Sequence, residues 1–180
     1  MSEYLPRYCA FLRGVNVNGI TMKMKDVCAV FCGAGMMDVV SVLASGNIIF
    51  RSGLEVEDLK IILQNAMSRR FGYECFLFLK KEEEVFNIFR KNPFSKEDDF
   101  HVYALLGEGN AAEVLISEFG NPPVSGSEKA EIQAGTLYWK VNRGNTTTSS
   151  FGKVLGRKSM KSLFTSRNIN TFEKIIQQFR

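Results

Sequence analysis

VVSVLASGNIIFR, residues 39–51, holds two short apolar runs joined at Ser45, Gly46 and Asn47. Val and Ile favour pleated, half-buried surfaces, and a glycine in a tight connection supplies positive φ, so the stretch predicts a β-hairpin. On both sides of it the apolar period changes from two to that of a helix. Upstream, Val27, Val30, Phe31 and Ala34 recur at helical spacing within residues 23–34, with Gly33 and Gly35 as stop signals. Downstream, Leu59, Ile62, Leu63, Ala66, Met67 and Phe71 form a stripe, with Glu55, Glu57 and Asp58 at the helix amino end. Further out, YCAFLR (8–13) and ECFLFL (74–79) read as strands. The order is β-α-β-β-α-β, the split βαβ of ferredoxin-like folds, and the fold class is α+β.

Residues 81–180 begin in the same way. A short helix at 81–90 precedes a strand at 100–106, and Asn110 with Glu113 reads as a capping box before Val114, Leu115 and Phe119. A loop with Pro122, Pro123 and Gly126 leads to a hairpin of 130–133 with 136–141. Two helices are expected after it, one from Phe151 and one from Asn170, the latter capped by Asn170 with Glu173. The expectation is a structural duplication whose second copy replaces its last strand by helix. Its halves, 1–80 and 81–180, pack as one globular unit. Strands 8–13 and 74–79 are apolar on both alternating sets, so both of their faces are buried. An open aromatic sheet that reads RNA bases is therefore not expected.

The formal charge of +4 is too weak to name a nucleic-acid or membrane partner, but its distribution is uneven. Residues 132–172 contain seven Lys and Arg and no Asp or Glu, so the remainder of the chain is net negative. No apolar run approaches the length of a membrane span, and residues 1–7 lack a secretory pattern. These features predict a cytosolic protein. Cys9, Cys28, Cys32 and Cys75 lie inside apolar segments, as reduced, buried cysteines do, and no disulfide or metal is expected.

Three stretches can carry chemistry. GVNVNG (14–19) lies between a strand and a helix, where backbone N–H groups can hold an anion, yet Asn and Gly are equally ordinary turn residues. TTTSS (146–150) offers hydroxyls to cap the helix that follows. With Arg143, Lys153 and Arg167 it would suit a phosphate, a carboxylate or a nucleic-acid backbone. In SRNINT (166–171) the asparagines have capping work, whereas Arg167 reads as an anion clamp beside the helix start. His101, the sole histidine, is expected to be structural.

YCAFLRGVNVNG, LASGNIIF, NPF at 92–94 and SRNINT, in this order, resemble the domain-of-unknown-function 1697 family of bacterial proteins. The resemblance implies a cytosolic protein with two ferredoxin-like halves, and it carries no activity. The family's polar motif residues fall on Arg13, Gly14, Asn16, Gly19, Ser45, Gly46, Asn47, Arg167, Asn168 and Thr171. The chain departs from the family at Ile169, usually aromatic, and at Asn18, usually glycine; the Arg-Ser-Lys stretch is not reproduced in TTTSSFGK.

The leading expectation is a site for an anionic or phosphate-bearing small molecule lined by Arg13, Asn16, Ser45, Asn47, Arg167 and Asn168, with no cofactor. It requires the loop after the first strand, the first hairpin and the RN turn to converge. Three alternatives stay open: nucleic-acid backbone binding through the acid-free third, a metal-independent enzyme, and a protein-interaction module.

Overall fold

A computed structural model describes residues 5–17, 19–120, 128–160 and 162–179. The 121–127 loop, with Pro122, Pro123 and Gly126, and the positions Asn18 and Lys161 lie outside the described residues. The fold is α+β, with two four-stranded antiparallel sheets, each carrying helices.

In the first half β1 (Arg7–Arg13), α1 (Met24–Gly33), β4 (Met37–Val42), β5 (Asn47–Arg51), α2 (Val56–Phe71) and β6 (Phe76–Lys81) follow in chain order. A ribbon of β2 (Asn16–Val17) and β3 (Ile20–Thr21) is inserted before α1. The sheet runs β4-β5-β1-β6, which places the first and last strands of the split βαβ at neighbouring positions. In the second half α3 (Glu82–Arg90), β7 (Phe100–Gly107), α4 (Ala111–Phe119), β8 (Glu128–Gln133), β9 (Thr136–Asn142), α5 (Ser150–Leu155), β10 (Phe164–Asn168) and α6 (Ile169–Gln178) follow. Its sheet runs β10-β7-β9-β8, the same spatial order, as a duplication would give.

Two compact units divide the chain, residues 1–85 with 174–180 and residues 86–173, with the divisions inside α3 and α6. In the first unit Tyr8, Ala10 and Leu12 of β1 pack with Val27 and Phe31 of α1 and Leu59, Leu63 and Met67 of α2. Cys9 and Phe11, on the opposite face of β1, are also buried, as the double-sided apolar pattern predicts. In the second unit Leu105, Leu137, Trp139 and Val141 of the sheet pack with Leu115 of α4 and Phe151 and Val154 of α5. Trp139 meets Phe151 edge to face at 5.6 Å.

Several local readings are corrected. The second half keeps its last strand: FTSRN forms β10, paired with β7 from Phe164 opposite Gly107 to Asn168 opposite Tyr103. Ser166, Arg167 and Asn168 hide it from an alternation reading, and the tertiary pairing with β7 imposes the extended backbone. Asn168 and not Asn170 caps the next helix, its Oδ1 accepting the Asn170 N–H at 3.0 Å. Asn110 stands at the amino end of α4 but makes no side-chain capping bond. GVNVNG is no plain loop, since β2 and β3 pair Asn16 with Thr21 and Val17 with Ile20 across the turn at Gly19. Cys32 is exposed and Cys28 half-buried on α1, whereas Cys9 and Cys75 are buried; all four are free thiols.

Candidate functional site

The polar motif residues separate into two settings. In the first unit the turn after β1 meets the hairpin between β4 and β5. The Leu12 N–H donates to the Gly46 carbonyl at 2.8 Å. Gly46 has φ 78°, and a Cβ placed there would lie 2.7 Å from Val15 Cγ1 and 2.9 Å from Leu12 Cβ. Both the backbone conformation and the close approach therefore demand glycine. Asn47 is fully buried, and its Nδ2 donates to the Val42 carbonyl at 2.8 Å and to Ser45 Oγ at 3.0 Å. Its side chain thus closes its own hairpin. Arg13, half-buried at the end of β1, has its pKa pushed below the usual arginine range by burial. Beside it, the Tyr73 hydroxyl donates to the Gly14 carbonyl at 2.8 Å. The ribbon of β2, which holds Asn16, and β3 stands between β1 and α1, whose amino end is flanked by Lys23 without a side-chain cap.

In the second unit the expected anion position at TTTSS is occupied by the protein itself. Ser149 Oγ accepts the Gly152 N–H at 3.1 Å, so a hydroxyl of the stretch caps α5 as its sequence predicts. The buried Glu128 carboxylate of β8 accepts the Phe151 N–H at 3.4 Å and the Trp139 Nε1–H at 3.2 Å. A carboxylate already fills the place proposed for a ligand. Arg167 lies in β10 opposite Ala104 and is only 7% exposed. Its Nη1 donates to Thr165 Oγ1 and to the Ser166 carbonyl, both at 2.8 Å. These two bonds tie the guanidinium to its own strand, two residues before α6 begins.

Asn168, by contrast, reaches a cleft of about 200 Å³ in the second unit, lined also by His101, Arg143, Asn170, Lys96 and the NPF loop. The loop is held by one residue: Asn92 Nδ2 donates to the Phe94 carbonyl at 2.9 Å while its Oδ1 accepts the Phe94 N–H at 3.1 Å. NPF and SRNINT, far apart in sequence, thereby meet on one cavity. Asn168 Oδ1 is committed to the Asn170 N–H, so its Nδ2 faces His101 Nδ1 at 3.2 Å. Nδ2 is a donor, so Nδ1 accepts, and the neutral imidazole carries its proton on Nε2. His101, expected to be structural, is bonded to Asn168 and also lines the cleft. The signal available in sequence was the nearness of the NPF loop, about seven residues upstream.

The charges at the cleft follow from their neighbours. Lys140, 8% exposed, is paired with Glu97 at 2.6 Å and stands over the Phe100 ring at 4.4 Å. The hydrogen bond from Lys140 holds the Glu97 carboxyl below its ordinary range, and Glu97 Oε1 also accepts from Ser95 Oγ at 3.2 Å. Arg143 is exposed and makes no ion pair among the described residues, while its N–H donates to the Asp99 carbonyl at 2.9 Å. The arrangement combines an exposed guanidinium, an imidazole donor and the amino end of α6 on one concave surface that also carries the carboxylates of Glu97, neutralised by Lys140, and Glu173; the donors are of the kind that hold a small anion.

Fold and motifs together define an α+β protein of two similar four-stranded units. Residues 5–138 match the family described as protein of unknown function (DUF1697), and the chain belongs to that family. A conserved bacterial protein from Streptococcus pneumoniae shares its fold at a TM-score of 0.79, with 20% sequence identity over 97% of this chain and 98% of its own. At that identity the likeness is one of fold. No curated protein matches. Among the described residues no helix is long and apolar enough to cross a membrane.

Proposed function

We propose that this DUF1697 protein is a cytosolic binding protein for an anionic small molecule, carrying a phosphate or carboxylate, and that the ligand enters the second unit's cleft. The observation that carries the reading is the convergence of the NPF loop, His101, Asn168 and Arg143 on one cavity of about 200 Å³. Of the six residues expected from sequence, Asn168 contacts the ligand. Asn47 and Ser45 are bonded within the β4–β5 hairpin and Arg167 within β10, while Arg13 and Asn16 lie on β1 and β2 of the first unit. Backbone binding to nucleic acid is the second reading; three of the seven cations of the acid-free window have other work, Lys140 with Glu97, Arg157 with Glu118, and Arg167 bonded within β10. The test is thermal unfolding of wild type and Arg143→Ala with inorganic phosphate, citrate and short RNA at low and high salt. A ligand at one hundred times its Kd adds roughly 2.7 kcal/mol to stability. Stabilisation by a small anion that survives salt and is lost in the variant is expected. Stabilisation by RNA alone, abolished by salt, overturns the reading.

A further inference from the structure

We infer that the anion this cleft takes is carried on a single planar aromatic or heteroaromatic ring, an inference that rests on the anion reading above. Phe89 of α3, Phe94 of the NPF loop and Phe100 at the start of β7 all line the cavity, and all three are only half-buried. The core phenylalanines, Phe11, Phe31, Phe50, Phe78, Phe151, Phe164, Phe172 and Phe179, are at most 7% exposed, and the other half-buried ones, Phe71, Phe76, Phe86 and Phe119, do not line this cavity. Three open phenyl rings on one concave surface hold apolar area that a ring-bearing ligand would cover.

The polar part of the cavity is set apart chemically. Asn168 fixes the imidazole so that His101 offers an N–H donor, and Arg143 offers a guanidinium. A ligand with a flat apolar body and one anionic group matches both parts. Size narrows the class further. A cavity of about 150 Å³ holds one benzene ring, so the 200 Å³ here admits one ring with a carboxylate or phosphate and encloses nothing as large as a dinucleotide. Lys140 already covers one face of Phe100. Phe89 and Phe94 are therefore the rings left to receive the ligand's face.

Calorimetric titration of the full chain with matched probes tests this: phenyl phosphate against cyclohexyl phosphate, benzoate against cyclohexanecarboxylate, and inorganic phosphate alone. The saturated rings have similar bulk but no π-face. At least one aromatic probe is expected to bind about tenfold tighter than its saturated counterpart, and which pair shows the preference tells phosphate from carboxylate. Phe94→Leu is expected to shrink that ratio to about threefold or less, and Phe89→Leu serves as a second variant should the first fail to fold. Equal affinity for aromatic and saturated probes, or a preference unchanged in both variants, overturns the aromatic class and leaves the anion reading standing. Binding of none of the five probes overturns the anion reading and this inference with it.

Discussion

The two ferredoxin-like units share one strand order and differ in what their polar motifs do. In the first unit, Gly46 and Asn47 close a hairpin against the end of β1, and the amide of Asn47 is spent on Val42 and Ser45. In the second, Asn168 ends a strand, caps a helix and still reaches a cleft, where it sets the sole histidine. Motif residues of one family thus close a turn in one half and line a cleft in the other. Burial and the fate of each hydrogen-bonding group separate the two cases.

The comparison is most exposed to substitutions inside the second unit's own frame. A Cβ at Gly152 would lie 2.0 Å from the Thr146 carbonyl oxygen and 2.9 Å from Ser149 Oγ. Gly152→Ala is expected to cost more than about 3 kcal/mol in urea unfolding, because the contact is with backbone that must move. A cost under about 1 kcal/mol would show that the cap region yields freely. In the first unit, Asn47→Ala removes a buried hydrogen bond to the Val42 carbonyl and a part-buried one to Ser45 Oγ, and leaves that carbonyl without its side-chain donor. A loss of about 2 kcal/mol is expected, with anion affinity unchanged. Weakened anion binding at full stability would place ligand chemistry in the first unit and erase the distinction.

Arg143→Ala sharpens the contrast from the other side. Stability should stay within about 0.5 kcal/mol, while affinity for the bound anion falls about tenfold by calorimetry. The smallest effect is a pH dependence. Burial pushes the Tyr138 hydroxyl up to about 12, with Thr136 opposing, and the hydroxyl donates to the Ile88 carbonyl at 2.7 Å. Unfolded tyrosine titrates near 10, so the folded state holds this proton more tightly. The contribution is complete below pH 10 and is lost as pH rises towards 12, at a slope of up to about 1.4 kcal/mol per pH unit. Tyr138→Phe should flatten the decline between pH 10 and 11.5 relative to wild type in urea titrations.

Much of the architecture was legible because it rests on local period. The apolar runs of 39–51, the stripe of α2 and the double-sided strands β1 and β6 all carry their burial in their spacing. β10 was not legible, since Thr165, Ser166, Arg167 and Asn168 are polar and their extended backbone comes from pairing with β7. The ribbon of β2 and β3 was overlooked although its Asn-Gly pair is a hairpin signal. The acid-free window is a feature of the sequence and not of its surroundings. Carboxylates from elsewhere in the chain reach it, Glu97 pairing with Lys140, Glu118 with Arg157, and Glu128 accepting the Phe151 N–H at the start of α5. Asn168, Arg143, His101 and the NPF stretch were each named from sequence but not as one set: Arg143 was grouped with TTTSS and His101 read as structural, because only the packing of β7, β10 and the NPF loop brings them to one cavity.

One histidine makes one imidazole signal. The most direct test is a long-range nitrogen–proton NMR spectrum of His101 titrated with phenyl phosphate, with backbone amides followed in the same sample. The account predicts a neutral imidazole protonated on Nε2 before ligand is added, then a saturable shift of its signals together with the amides of Phe94, Asn168 and Asn170. A silent His101, with shifts confined to residues 12–16 and 45–47, would contradict it and return the ligand to the first unit's hairpin.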